Sequence, residues 1–205
     1  MEDTGRLVWQ VVNNAIKQLN DKGTTGGRAG KRSAWATAML AKLRRSAGTQ
    51  PGKDANVWEV TLGRLPDDMS WYERERAEWA IHTALTLYAL HQQGKDDCIS
   101  ADGVDFGTAV QLIVDPDKSN EQGVRRRFNA FATAGSLEEL SRHARSLVQL
   151  MKAKGAKLDY PRFAQDLYWY QAETLRDRTR MKWGRHFYSY CKNNNDNSEE
   201  KNTDE

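Results

Sequence analysis

Apolar residues recur along this chain at intervals of three and four, the spacing that lines one face of an α-helix, and nowhere at the sustained interval of two that marks a half-buried strand. Leu7, Val8, Val11, Val12, Ala15, Ile16 and Leu19 trace a first helical face, closed by Gly23 and Thr24-Thr25-Gly26-Gly27. A second helix is predicted over 33–45 with Trp35, Met39 and Leu43 inward, and a short one over 56–65 that stops at Pro66. Ser70 and Glu73 then form an S-x-x-E capping box, with Glu75 and Glu78 placed toward the positive end of the helix dipole. The helix they open carries Ala77, Ile81, Ala84, Leu85 and Tyr88 on one face and Trp79, Leu87 and Leu90 on another. A helix apolar over most of its circumference belongs in the middle of a bundle.

Five more helices follow. One is predicted over 103–114 and stops at Asp115-Pro116; the next covers 121–134 with Val124, Phe128 and Phe131 inward. A second capping box, Ser136 and Glu139, starts a helix that buries Leu140, Ala144, Leu147 and Met151 and ends at Gly155. Asp159 and Pro161 open a further helix with Phe163, Leu167 and Tyr170, and a last one is predicted over 175–190. Val57-Trp58-Glu59-Val60 alternates like a strand but has no partner. The expected fold is an all-α helical bundle of eight to nine helices over residues 1–192, with room for two packed sub-bundles, 1–115 and 116–192. Residues 193–205 lack apolar groups and are expected to form a disordered polar tail.

The chain has 205 residues, enough for one sizeable core. No apolar run approaches the ~20 residues that span a bilayer, and Met1-Glu2-Asp3-Thr4 opens without the basic, then apolar, stretch of a secretory signal. Cys98 and Cys191 stand in no metal or disulfide pattern. These features lead us to expect a cytoplasmic protein. Net charge is only +3, but its distribution is uneven. Residues 1–50 hold nine Lys/Arg against three Asp/Glu, a net +6; residues 51–117 hold five against thirteen, a net −8; residues 118–158 return to nine against three. Two basic blocks around an acidic one suit a polyanion on one face, although uneven solvated helix faces give the same pattern.

Catalytic patterns find no match. Gly26-Gly27-Arg28-Ala29-Gly30-Lys31 invites a phosphate-loop reading, but Thr25 stands where the first glycine is needed and Arg32 where a magnesium-binding hydroxyl is needed. That stretch is either a basic loop touching phosphates or a linker. His82, His91, His143 and His186 fit no zinc spacing; Glu78 and His82, four apart, are expected to form a local hydrogen bond. Asp96, Asp97, Asp102, Asp105, Asp115 and Asp117 match no calcium loop and read as caps and turns. No nucleophile motif is present, so no enzyme activity and no cofactor are expected.

Basic ridges are the positive signal. On the helix that begins at Ser136, Arg142, Arg145, Gln149 and Lys152 fall on one side, flanking the core stripe. Arg126 points away from Val124, Phe128 and Phe131, while Arg125 and Arg127 flank that buried face. Arg44 and Arg45 extend the second helix, and Lys31 and Arg32 precede it. Such ridges could follow a strand's phosphates without reading sequence. Trp35, Trp58, Trp79 and Trp183 lie within apolar patterns and are expected in the core, while Tyr168-Trp169-Tyr170 cannot all face inward.

Several of these segments, taken in order, resemble the small subunit of the type I-E CRISPR surveillance complex, the CasB family of Cascade. They are Arg76-Ala77-Glu78-Trp79-Ala80 through Leu87-Tyr88-Ala89-Leu90-His91, Phe106-Gly107-Thr108-Ala109, Val124-Arg125-Arg126-Arg127-Phe128 and Leu140-Ser141-Arg142-His143-Ala144-Arg145. Leu158-Asp159-Tyr160, Asp166-Leu167-Tyr168-Trp169 and Trp183-Gly184-Arg185-His186-Phe187-Tyr188 complete the set, which covers about residues 57 to 190. The resemblance implies an all-α, non-catalytic subunit that sits as two copies beside other Cascade subunits and the CRISPR RNA. It implies a hold on the target DNA and the displaced single strand of the R-loop, with sequence reading left to the guide. Arg125, Arg126, Arg127, Arg142 and Arg145 match basic family positions. Lys31, Arg32, Arg44, Arg45 and Lys152 join them as candidate nucleic-acid contacts on charge alone. The alternative is a scaffold whose basic ridges meet only partner proteins.

Overall fold

A computed structural model describes the backbone of residues 2–22, 31–62 and 65–199, and the side chains of 3–22, 31–62 and 65–189. The Gly-rich stretch 23–30 lies outside the described residues, as do 200–205 of the expected tail. The helices are α1 (Glu2–Leu19), α2 (Ala34–Arg45), α3 (Trp58–Thr61), α4 (Trp71–Gln92), α5 (Phe106–Gln111), α6 (Glu121–Ala132), α7 (Leu137–Lys154), α8 (Tyr160–Tyr170) and α9 (Glu173–Glu199). A 3₁₀ turn, Ala55–Val57, precedes α3. Among the described residues there is no strand, only a single backbone bridge between Ser100 and Leu158. The fold is all-α.

Side-chain caps set most of the helix starts. Ser33 accepts from the Ala36 N–H, Ser70 from Glu73, Asp105 from Thr108, Ser136 from Glu139 and Asp159 from Arg162. In both S-x-x-E motifs the glutamate carboxylate also stays at the helix start, although not on the cap N–H: Ser70 Oγ donates to Glu73 at 2.7 Å, and the N–H of Gly135, the residue before the cap, donates to Glu139 at 2.8 Å. Gly155 ends α7 in the left-handed conformation at φ 73°, which a glycine adopts without penalty.

Helix α4 is the axis of the bundle. Every residue from Ala80 to Gln92 is buried, and α4 packs against α1, α2, α3, α7 and α8. The largest interfaces, α1 on α8 and α5 on α9, both cross Pro116, and one continuous core runs from Val8 to Phe187. Its densest part is aromatic. Phe106 stacks on Phe163 at 4.7 Å and lies 4.3 Å from Phe131, while Trp183 lies 4.7 Å from Phe131. Gly107 lets α5 approach α9 there: a Cβ at this position would stand 2.2 Å from the Trp183 carbonyl oxygen.

Several expectations need correction. Trp35 and Trp58 are 38% and 44% exposed rather than core, because α2 buries Ala36, Met39, Leu40 and Leu43 and α3 is too short to turn Trp58 inward. The helix expected over 103–114 is confined to Phe106–Gln111, since Asp105 caps it after a turn through Gly103. α9 continues to Glu199, well past 190, each added residue propagating a helix already nucleated. Trp183 and Tyr168 are fully buried, and Trp169 packs between α8 and α1 beside Gly5.

Candidate nucleic-acid interface

The two basic blocks, remote in sequence, meet where α2, the C-terminal end of α4 and α7 come together. A cavity of about 330 Å³ opens there, lined by Lys31, Arg32 and Arg44 from the first block, by Gln92 and Gln93 from α4 and the residue after it, and by Asp96. Lys152 of the second block reaches its rim and donates to the Gln93 side chain at 2.9 Å. Partial burial, and then the positive charges of Arg44 and Lys95, hold the Lys152 ammonium below the usual lysine range. Positive groups from three parts of the chain thus crowd one surface.

The same burial acts on a neighbour. His91, fully buried on the inner side of this cluster, is pushed down to about 4, first by burial and then by Lys95 and Lys152. Its ring stays neutral near pH 7, with Nδ1 3.1 Å from the Tyr160 hydroxyl. His82 bonds the Thr49 carbonyl at 3.1 Å rather than Glu78, because the chain after α2 folds over that side of α4.

Not every cation is equally available. Arg32 donates to the carbonyls of Lys95 at 2.9 Å and Asp96 at 3.2 Å and to the Asn20 side chain at 3.3 Å, so it braces the end of α4 against α1. Arg145 donates to the Ala47 carbonyl at 2.8 Å and joins α7 to the end of α2. Arg142 is exposed and, with Arg145, lines a second cavity of about 300 Å³ walled by Trp79. Arg45 is exposed on α2 and its charge acts on Asp54.

The α6 arginines stand elsewhere. Arg125, Arg126 and Arg127 are all exposed, beside the buried Val124 and Phe128. Arg127 folds back on the Gly123 carbonyl at 3.1 Å. α6 packs chiefly on α7, and the structure does not bring its arginines to the cavity that Arg44 and Lys152 share. Sequence reasoning passed over Lys95, which sits inside the acidic block next to Asp96 and Asp97, and treated Trp79 as pure core; only the folded chain reveals either role.

Among the described residues no group of three or more His, Cys, Asp or Glu side chains could hold a metal ion, and no helix is long and apolar enough to cross a membrane.

Residues 39–188 match the family CRISPR-associated protein Cse2. No curated protein matches the chain. The structure is similar to that of CasB from Thermobifida fusca, at 30% identity and a TM-score of 0.70 over 90% of this chain and 97% of that one. It is also similar in fold to M. ruber CasB (21% identity, TM-score 0.66, 92% and 98% covered). A CRISPR-associated protein of the Cse2 family from Thermus thermophilus shares it as well (22%, 0.63, 87% and 97%). With the match spanning most of the sequence and almost the whole length of the similar structures, the chain belongs to the Cse2/CasB family of CRISPR-associated proteins.

Proposed function

We propose that this Cascade subunit binds the phosphate backbone of single-stranded DNA across the surface where α2, α4 and α7 meet, and so stabilises the target and displaced strands of an R-loop. The reading rests on one observation: Arg44 and Lys95 lie close enough to Lys152 for their charges to add to the partial burial that lowers its ammonium, and no ion pair among the described residues neutralises the three. A like-charged cluster is unfavourable in isolation and favourable against a polyanion. The contacts would be sequence-independent, with base pairing to the CRISPR RNA supplying specificity. In this role the subunit is non-catalytic, cytoplasmic and assembled with other Cascade subunits and a second copy of itself.

A protein-contact role accompanies it, favoured by Trp71 and Tyr72, which stand 74% and 58% exposed at the start of α4. Large exposed aromatics are typical of subunit interfaces.

Fluorescence anisotropy with a labelled single-stranded oligonucleotide at about 50 and 200 mM salt tests the reading. Wild type is expected to bind at the lower salt and to lose affinity steeply at the higher. An Arg44→Glu/Arg142→Glu/Lys152→Glu variant is expected to bind weakly at both. If that variant instead keeps its DNA affinity but no longer assembles with partner subunits, the basic surface serves proteins alone.

A further inference from the structure

The cavity beside Trp79 has the makings of a site for a base rather than for a phosphate. About 300 Å³ in volume, it lies at the lower end of the range for small-ligand pockets. Trp79 forms one wall: it packs against the core on one side and is only half-buried. Arg142 and Arg145 line another part, with the hydroxyls of Thr49 and Ser141 and the exposed carboxylate of Glu138 around the rest.

The walls are held before any ligand arrives. Thr49 is fixed through its carbonyl by His82 and through its own hydroxyl, which donates to the Ser46 carbonyl at 2.8 Å. Arg145 is held by the Ala47 carbonyl, and its guanidinium lies against Gly48, whose φ of 92° lets the chain turn tightly there. An indole, two guanidinium groups and a nearby carboxylate acceptor lining one cavity match the parts of a nucleotide. The ring stacks on tryptophan, the flanking phosphates meet arginine, and an exocyclic amine meets the carboxylate.

We infer that this cavity takes one unpaired base of single-stranded DNA, stacked on Trp79, with the neighbouring phosphates on Arg142 and Arg145. The inference rests on the backbone-binding reading above and adds to it a preference for unpaired over paired DNA. A base inside a duplex is stacked on its neighbours and cannot enter, whereas an unpaired strand offers its bases freely.

The test compares a labelled oligodeoxycytidine with an abasic strand of the same length, which carries the same phosphates and no bases. Wild type is expected to bind the oligodeoxycytidine about tenfold more tightly, the effect of one base–aromatic stack. Trp79→Leu is expected to bring that ratio close to one while salt-dependent binding to the abasic strand persists. Ser141→Leu, which fills the cavity without removing a core atom, is expected to do the same and covers the case in which Trp79→Leu fails to fold. Equal wild-type affinity for the two strands overturns the base site and leaves the backbone reading standing. A preference that survives in both variants also overturns the assignment to this cavity. Failure of wild type to bind either strand overturns both readings.

Discussion

Two seams of the molecule are built on opposite plans. Where α5 meets α9, Gly107 brings two backbones together, and Phe106, Phe131, Phe163 and Trp183 fill all the space around them. Where α2 and α7 meet α4, an apolar inner layer is edged by polar contacts, cavities of about 330 and 300 Å³ remain, and the charged side chains that border them are mostly positive. The first seam stabilises and leaves no room for a ligand. The second gives up packing and charge balance to keep a surface open, and the candidate function lies there.

The sharpest way to break this contrast is to put a methyl group into the closed seam. A Cβ at Gly107 would meet the Trp183 carbonyl oxygen at 2.2 Å and the Phe187 amide nitrogen at 3.0 Å, and both are backbone atoms that cannot swing aside. Gly107→Ala is therefore expected to lose about 3 kcal/mol or more in urea unfolding. A loss below about 0.5 kcal/mol would mean that α5 and α9 are not in such close contact.

Acid acts on the open seam instead. His91 has its folded-state value lowered to about 4, chiefly by burial and further by Lys95 and Lys152. A depressed histidine means that the unfolded chain binds the proton more readily, so its contribution to stability is complete above pH ~6.5 and is lost as pH falls toward 4. The loss by pH 4 is expected to be about 2–3 kcal/mol. His91→Leu should flatten that part of the stability–pH curve; an unchanged slope would place the acid sensitivity elsewhere.

The DNA surface gives a third comparison, this time within the basic residues. Charge reversal of Arg44 and Lys152 is expected to weaken single-strand binding by tenfold or more and to lower the salt slope by about 1.4, the share of two phosphate contacts. The same reversal at Arg125 and Arg126, on a helix outside the cluster, is expected to act less. Equal effects would mean that the strand runs over α6 as well.

The fold was open to reading in the sequence because its signals are local. Ser70 with Glu73, Ser136 with Glu139, Asp159 and Gly155 each act within a few residues, and α4 announces its central place by its nearly all-round apolar surface. The site was readable only in its ingredients. Arg44 and Lys152 were identified by charge, but their meeting depends on packing between helices far apart in the chain. Periodicity could not show that Arg32 and Arg145 are occupied with carbonyls, since their partners, Lys95, Asp96 and Ala47, lie in turns that carry no repeating pattern. Trp35 and Trp58 misled for the related reason that a tryptophan's size argues for burial wherever it falls, while the face it occupies is set by its helix.

Arg145 marks the point where the two demands on the open seam meet, and its effect on stability is expected to be smaller than those of Gly107 and His91. It lines the cavity beside Trp79 and also bonds the Ala47 carbonyl across to the end of α2. Removing a charged donor from a partly buried carbonyl is expected to cost about 1 kcal/mol in Arg145→Ala, whereas Arg126→Ala, on an exposed helical face, should fall within about 0.5 kcal/mol of wild type. Arg145→Lys separates the roles. It keeps the positive charge near the cavity, but its single ammonium cannot reproduce the guanidinium's reach to the carbonyl and to a phosphate together. Unfolding and strand-binding curves on the same preparation would show whether stability and affinity fall together, as one arginine serving both sides of the seam requires. A fall in affinity with stability intact would assign Arg145 to the ligand alone.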